Sequence, residues 1–185
     1  PGTPAGPAGS RSPVTAYIAL LRAVNVGGTG KLPMTELKAM CEEIGFHQVK
    51  TYIASGNVVF TSDLSDAKVK SVLEARLEAY AGKPLGVFIR SASEMVAVRD
   101  ANPFAGAPGN RVVAIFLEAR PRPETLTGLK HQATEVLKPG TREIYVHYPD
   151  GQGASKLVVP AAKSGTARNM NTVAKLADMA AALNA

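Results

Sequence analysis

The residues of this chain best equipped for chemistry are guanidinium, ammonium, amide and hydroxyl donors set beside glycines. They are Arg22, Asn25, Gly27 and Gly28, then Lys31, Ser55-Gly56-Asn57, Ser155-Lys156, and finally Arg168, Asn169, Asn171 and Thr172. No carboxylate falls within these clusters. Donor side chains and unhindered backbone amides hold negatively charged or oxygen-rich groups. The pattern therefore points to an anionic small molecule bearing phosphate or carboxylate, or to a nucleotide or nucleic acid. It names no reaction, so catalytic residues and cofactor stay unassigned. Two other readings remain open: an enzyme that stabilises developing negative charge with the same donors, and a structural role in locking parts of the chain or an oligomer together.

Each cluster also has a plainer reading. Gly28-Thr29-Gly30-Lys31 sits between an expected strand and an expected helix, where a phosphate loop would lie. The strict phosphate-loop pattern fails, because Asn25 stands where its first glycine belongs and Leu32 where Ser or Thr must follow the lysine. A glycine turn and a weaker anion nest both fit. Ser55-Gly56-Asn57 is what a tight hairpin needs whatever the function. Asn169 can cap a helix, whereas the Arg168 guanidinium beside helix amides can fork onto a phosphate or carboxylate. Lys156 reads either as a partner in that contact or as a solvated edge charge. His47, His131 and His147 are scattered without cysteine or carboxylate at ligand spacing, so no metal site is expected, and Gly-x-Ser-x-Gly is absent.

The elements that must position these groups follow from periodicity. Thr15 to Leu21 reads as a buried strand, and Pro33, Glu36 and the stripe Leu37, Met40, Cys41 and Ile44, stopped by Gly45, read as a helix. Val49 to Ala54 and Val58 to Thr61 read as a hairpin. Ser65 or Asp66 caps a helix with Val69, Val72, Leu73, Leu77 and Tyr80 on one face, and Leu85 to Ile89 returns as a strand. Ser91-Ala-Ser-Glu94 matches a capping box for a linking helix that Asn102-Pro103 ends. Further on, the pattern predicts a strand over Arg111 to Leu117 and a helix over Pro123 to Leu137. A hairpin of Arg142 to Tyr148 with Lys156 to Val159 follows, then a helix from Met170 to about Leu183.

That order predicts an α+β fold of two ferredoxin-like halves with mixed or antiparallel sheets and helices on one face. Residues 15–90 make the first half (βαββαβ), 91–110 a link, and 111–185 the second half (βαββα). Residues 1–14 are nearly all Pro, Gly, Ala, Ser and Thr and read as a disordered leader or an expression remnant. A chain of 185 residues with 45% hydrophobic content can build a core without staples. Its net charge of +6 favours anionic partners. The lone Cys41, in a helical stripe, reads as a buried small hydrophobe and a reducing cytoplasm as its setting; no apolar stretch is long enough to span a membrane.

Taken in order, Leu20-Leu-Arg-Ala-Val-Asn-Val-Gly-Gly28, Leu32-Pro-Met34, Thr51-Tyr-Ile-Ala-Ser-Gly-Asn-Val-Val-Phe60, Ser155-Lys-Leu157 and Thr166-Ala-Arg-Asn-Met-Asn-Thr172 resemble the bacterial domain-of-unknown-function family 1697. The resemblance runs from about Tyr17 to the end. It implies a cytoplasmic α+β protein with ferredoxin-like parts, and carries over no reaction, cofactor or catalytic residue. Ala23, Ala54 and Met170 depart from the usual Gly, Gln and Trp. Met170 removes a stacking platform and suits a core instead.

Overall fold

The computed structural model describes residues 13–22 and 31–183, so Asn25, Gly27 and Gly28 lie outside the described residues. Thr15–Leu21 forms strand β1, whose alternate side chains enter two different layers. Tyr17, Ala19 and Leu21 pack with helices α1 (Met34–Glu43) and α2 (Asp66–Ala81); Ala16, Ile18 and Leu20 pack with α3 (Ala92–Asp100) and α4 (Met170–Ala181). A strand covered on both faces needs no polar alternation, which is why its sequence is an unbroken apolar run. Leu20, Leu21, Leu37, Leu73 and Leu77 are fully buried, each contributing on the order of 1.5–3 kcal/mol.

β1 lies between β3 (Asn57–Ser62) and β4 (Val87–Ser91), with β2 (His47–Thr51) outside β3. All pairs are antiparallel, and with α1 and α2 as crossovers the arrangement is ferredoxin-like. The local signals for the helices are met in the structure. Ser65 Oγ accepts from the Lys68 N–H, Gly82 ends α2 at φ 74°, and Ser91 with Glu94 forms the reciprocal capping box of α3. Such caps are worth roughly 1 kcal/mol each. Cys41 is buried in the α1 stripe, whereas Tyr80, expected on the buried face of α2, is 43% exposed.

The second sheet holds β5 (Val112–Phe116), β6 (Val136–Pro139), β7 (Glu143–His147) and β8 (Thr166–Asn169). Its order, β6-β7-β5-β8, repeats that of the first sheet strand for strand, and it too is antiparallel throughout. The fold is therefore α+β, with two four-stranded sheets. Between them run α3 and α4, and α4 touches strands of both sheets. Met170 fills this central layer.

Two expectations for the second half are corrected. Pro123 to Leu137 is not a helix: a single 3-10 turn over Pro123–Leu126 ends before Gly128, His131 takes φ 58°, and Val136–Pro139 is claimed by β7 as an edge strand. The apolar spacing fitted a helix, but tertiary pairing and the turn residues outweighed it. Lys156 to Val159 does not complete a hairpin either, forming only the isolated bridge Lys130↔Val158. The strand that closes the sheet is β8, a polar Thr-Ala-Arg-Asn stretch with no strand signature of its own. 3-10 turns therefore stand where helices cover the first sheet, over a smaller core of Val113, Ile115, Ile144, Val146, Tyr148 and Val159.

Candidate functional site

Four of the donor residues picked out in the sequence meet where the two sheets adjoin. Arg168, opposite Ala114 in the β5–β8 ladder, is only 8% exposed. Its Nε donates to Asn57 Oδ1 (2.6 Å), Nη2 to the carbonyls of Leu21 (2.9 Å) and Ser55 (3.0 Å), and Nη1 to Thr166 Oγ1 (2.7 Å) and the Ala167 carbonyl (2.9 Å). All five N–H groups of the guanidinium are thus engaged. Among the described residues no carboxylate pairs with it, and burial pulls its pKa down to about 10. Asn57, wholly buried, donates to the Tyr52 carbonyl (3.0 Å) and to Ser55 Oγ (2.7 Å) while accepting from Arg168. Arg22 reaches the Gly165 carbonyl through Nε (3.2 Å) and lies against Gly86. Gly165 itself must be glycine, because a Cβ there would sit 2.5 Å from the Phe116 carbonyl oxygen.

The remaining donors are not part of this cluster. Asn169 caps α4, accepting the Thr172 N–H at 2.9 Å. Asn171 is exposed and packs over Gly109. Lys31 is exposed ahead of α1. Lys156 lines a separate hollow of about 200 Å³ with Ser155, Glu135 and Tyr148, in which Ser155 Oγ donates to Glu135.

A second arginine, Arg90 on β4, joins the sheets without having stood out in the sequence. It is 1% exposed and donates to the carbonyls of Leu117 (2.7 Å), Arg142 (3.3 Å) and Ile89 (3.0 Å) and to Glu143 Oε1 (3.3 Å). Its guanidinium lies over the Phe116 ring at 5.4 Å. Burial lowers its pKa, helped by the Arg142 charge and opposed by Glu143. The signal was a lone arginine ending the apolar run Val87-Phe-Ile.

Beside this junction lies a hollow with room for a ligand. A cleft of about 810 Å³ is bounded by α3, by residues 120–123 and by the turn joining β6 to β7. Arg120, Arg122, Lys138 and Arg142 line it, with Glu94 and Glu143 as its carboxylates. Both carboxylates are taken. Glu94 bonds the Arg142 guanidinium at 2.6 Å and the Ser91 N–H at 3.0 Å, and Glu143 is held by Arg90. Burial alone would push the Glu94 carboxyl up, but the Ser91 bond and Arg142 hold it below its ordinary value. Arg120, Arg122 and Lys138 form no ion pair among the described residues. The result is a cavity of ligand size with a positive excess and walls stiffened by Pro103, Pro121, Pro123 and Pro139. Sequence reasoning missed it because Arg120 and Arg122 lie between the strand expected to end at Leu117 and the helix expected to begin at Pro123, in no motif that suggests a site. Among the described residues no group of three or more His, Cys, Asp or Glu could hold a metal ion.

Residues 14–145 match the family described as "Protein of unknown function (DUF1697)". No curated protein matches the chain. Among solved structures, one described as that of "conserved bacterial protein SP0830 from Streptococcus pneumoniae" is 26% identical, with a TM-score of 0.74 over 91% of this chain and 99% of that one. That coverage takes in both sheets.

Proposed function

We propose, for a chain that belongs to the DUF1697 family, that it binds a phosphate- or carboxylate-bearing ligand in the cleft between α3 and the β6–β7 turn. The observation that carries this reading is that Arg120, Arg122 and Lys138 line one hollow and form no ion pair among the described residues, the two carboxylates of that hollow, Glu94 and Glu143, being paired with Arg142 and Arg90. A bound anion would replace the missing countercharge, and each charge-assisted bond contributes roughly 1.5–3 kcal/mol. Exposed Arg22, Lys31 and Asn171 add positive or donor surface elsewhere, consistent with an anionic partner drawn in by the net charge of +6. A cytoplasmic setting fits the single, buried thiol. Among the described residues, no helix is long and apolar enough to cross a membrane.

The test is a thermal-shift titration with inorganic tripolyphosphate and with citrate. A ligand at 100 times its dissociation constant stabilises by about 2.7 kcal/mol, so a concentration-dependent rise is expected, lost in the double variant Arg122→Glu, Lys138→Glu. A folded wild-type protein whose melting temperature ignores both anions at millimolar concentration would overturn the reading.

A second reading has its own observation. Arg168, Asn57 and Ser55 satisfy one another and the neighbouring main chain, which favours a role in fastening the two sheets over direct ligand contact.

A further inference from the structure

The geometry points to a nucleotide as the cleft's ligand, an inference that rests on the anion-binding reading and extends it to a second, adjoining hollow. That hollow, about 750 Å³ and open to solvent, is lined by Phe104, His147, Arg111, Ala107 and two prolines. Phe104 and His147 lie ring against ring, centroids 5.4 Å apart and planes tilted by 31°. Both are half-buried, so each ring is fixed by packing yet still borders the cavity. The two hollows share no lining residue but come close to each other at one point. Pro103 lines the basic cleft and Phe104 the aromatic one, and Lys138 of the basic cleft holds its Nζ 5.9 Å from the Phe104 ring centroid.

The strand register explains why cation and ring come together. Val136 pairs with His147 and Lys138 with Tyr145, so all four belong to one face of the β6–β7 ribbon. Tyr145 enters the central core, and its hydroxyl donates to the Val98 carbonyl on α3 (2.6 Å). Val136, 44% exposed, and Lys138 lie beyond the cover of α3, on the part of that face left open. A pair of tilted aromatic rings next to Arg120, Arg122 and Lys138, none of which forms an ion pair among the described residues, suits a ligand with a π-face at one end and phosphates at the other. An inorganic polyanion has no use for the rings, and an uncharged aromatic none for the cations.

The experiment compares adenosine triphosphate with inorganic tripolyphosphate by isothermal titration, without added metal, on the wild type, Phe104→Ala and Phe104→Trp. Base stacking should make the nucleotide roughly tenfold or more tighter than tripolyphosphate. Phe104→Ala should erase that difference, weakening the nucleotide more than tripolyphosphate, while Phe104→Trp should keep it. Nuclear magnetic resonance on the wild type gives a readout independent of any variant: ring protons of Phe104 and His147 should shift with the nucleotide and stay put with tripolyphosphate. Equal affinity for the two probes overturns the nucleotide assignment while leaving anion binding intact. Binding of neither overturns the anion-binding reading, and this inference with it.

Discussion

Replacing Arg168 by Met tests whether the junction between the sheets depends on one guanidinium. Methionine is of similar length and apolar, so the change removes the donors and the charge but little volume. Three bonds cross the junction, to Asn57 Oδ1, the Leu21 carbonyl and the Ser55 carbonyl, and at ~1.5–3 kcal/mol each their loss is the dominant effect. Relief from burying a charge opposes it. A fall in pKa from 12.5 to about 10 corresponds to about 3 kcal/mol. The bonds win, leaving a net destabilisation of about 4 kcal/mol, or about 8–16 °C in melting temperature for a chain of this size. Equilibrium urea unfolding followed by circular dichroism measures it. Arg168→Lys, which keeps the charge with three donors instead of five, should fall between wild type and Arg168→Met. Arg22→Ala, which loses one 3.2 Å bond from an exposed side chain, should cost less than about 1 kcal/mol. An Arg168→Met protein within about 1 kcal/mol of wild type, with an unchanged urea dependence, would refute the reasoning.

Glu143→Gln strips the carboxylate from buried Arg90 and should destabilise by about 3–5 kcal/mol. Glu43→Gln, at the exposed pair with Arg76, should change stability by less than about 1 kcal/mol, and the same urea titrations compare them. Alkaline pH should also unfold the protein progressively. Burial pushes the Cys41 thiol from 9.0 up to about 12 and the Tyr145 hydroxyl from 10.0 up to about 12. The unfolded chain therefore loses these protons first, so their stability is complete below pH 9 and drains away from there toward pH 12. Arg168, whose folded value is depressed, acts in the opposite sense above pH 10. Melting temperatures at half-unit steps from pH 8 should fall between pH 9 and 10, and Cys41→Ala should flatten that fall; a flat wild-type profile there would contradict the burial argument. In the native protein at neutral pH the thiol should resist a maleimide until urea unfolds the chain.

The first sheet was legible because each of its elements carries a local signature. Ser65 and the Ser91–Glu94 box mark helix starts, Gly56 at φ 84° the hairpin turn, and Leu37, Met40 and Cys41 a stripe. The second sheet was less so. Val136 and Leu137 continue a helical spacing, and only pairing with Val146 and His147 makes them a strand. The stretch Thr166 to Asn169 is polar, and it becomes a strand because β5 offers an edge and Arg168 finds acceptors on the first sheet. In the site, the gathering of Arg168, Asn57 and Ser55 was readable as donor chemistry, but not that their partners would be each other. The cleft was hidden for a related reason: Arg120 and Arg122 come to face Lys138 and Arg142 across it only once the expected helix gives way to a turn.

The acceptors that receive the two joining arginines are mostly main-chain oxygens, from Leu21, Ser55, Leu117 and Arg142. Every amino acid supplies a carbonyl, so these particular bonds do not depend on which side chain stands at the four positions, even where that side chain has other duties, as Leu21 has in the core and Arg142 with Glu94. Guanidinium groups have no such substitute, nor does the Asn57 amide, which accepts from one arginine while bracing its own turn. The joining bonds should therefore be lost on substitution of Arg90, Arg168 or Asn57, whereas substitution at the four carbonyl positions should cost only what the replaced side chain itself contributed.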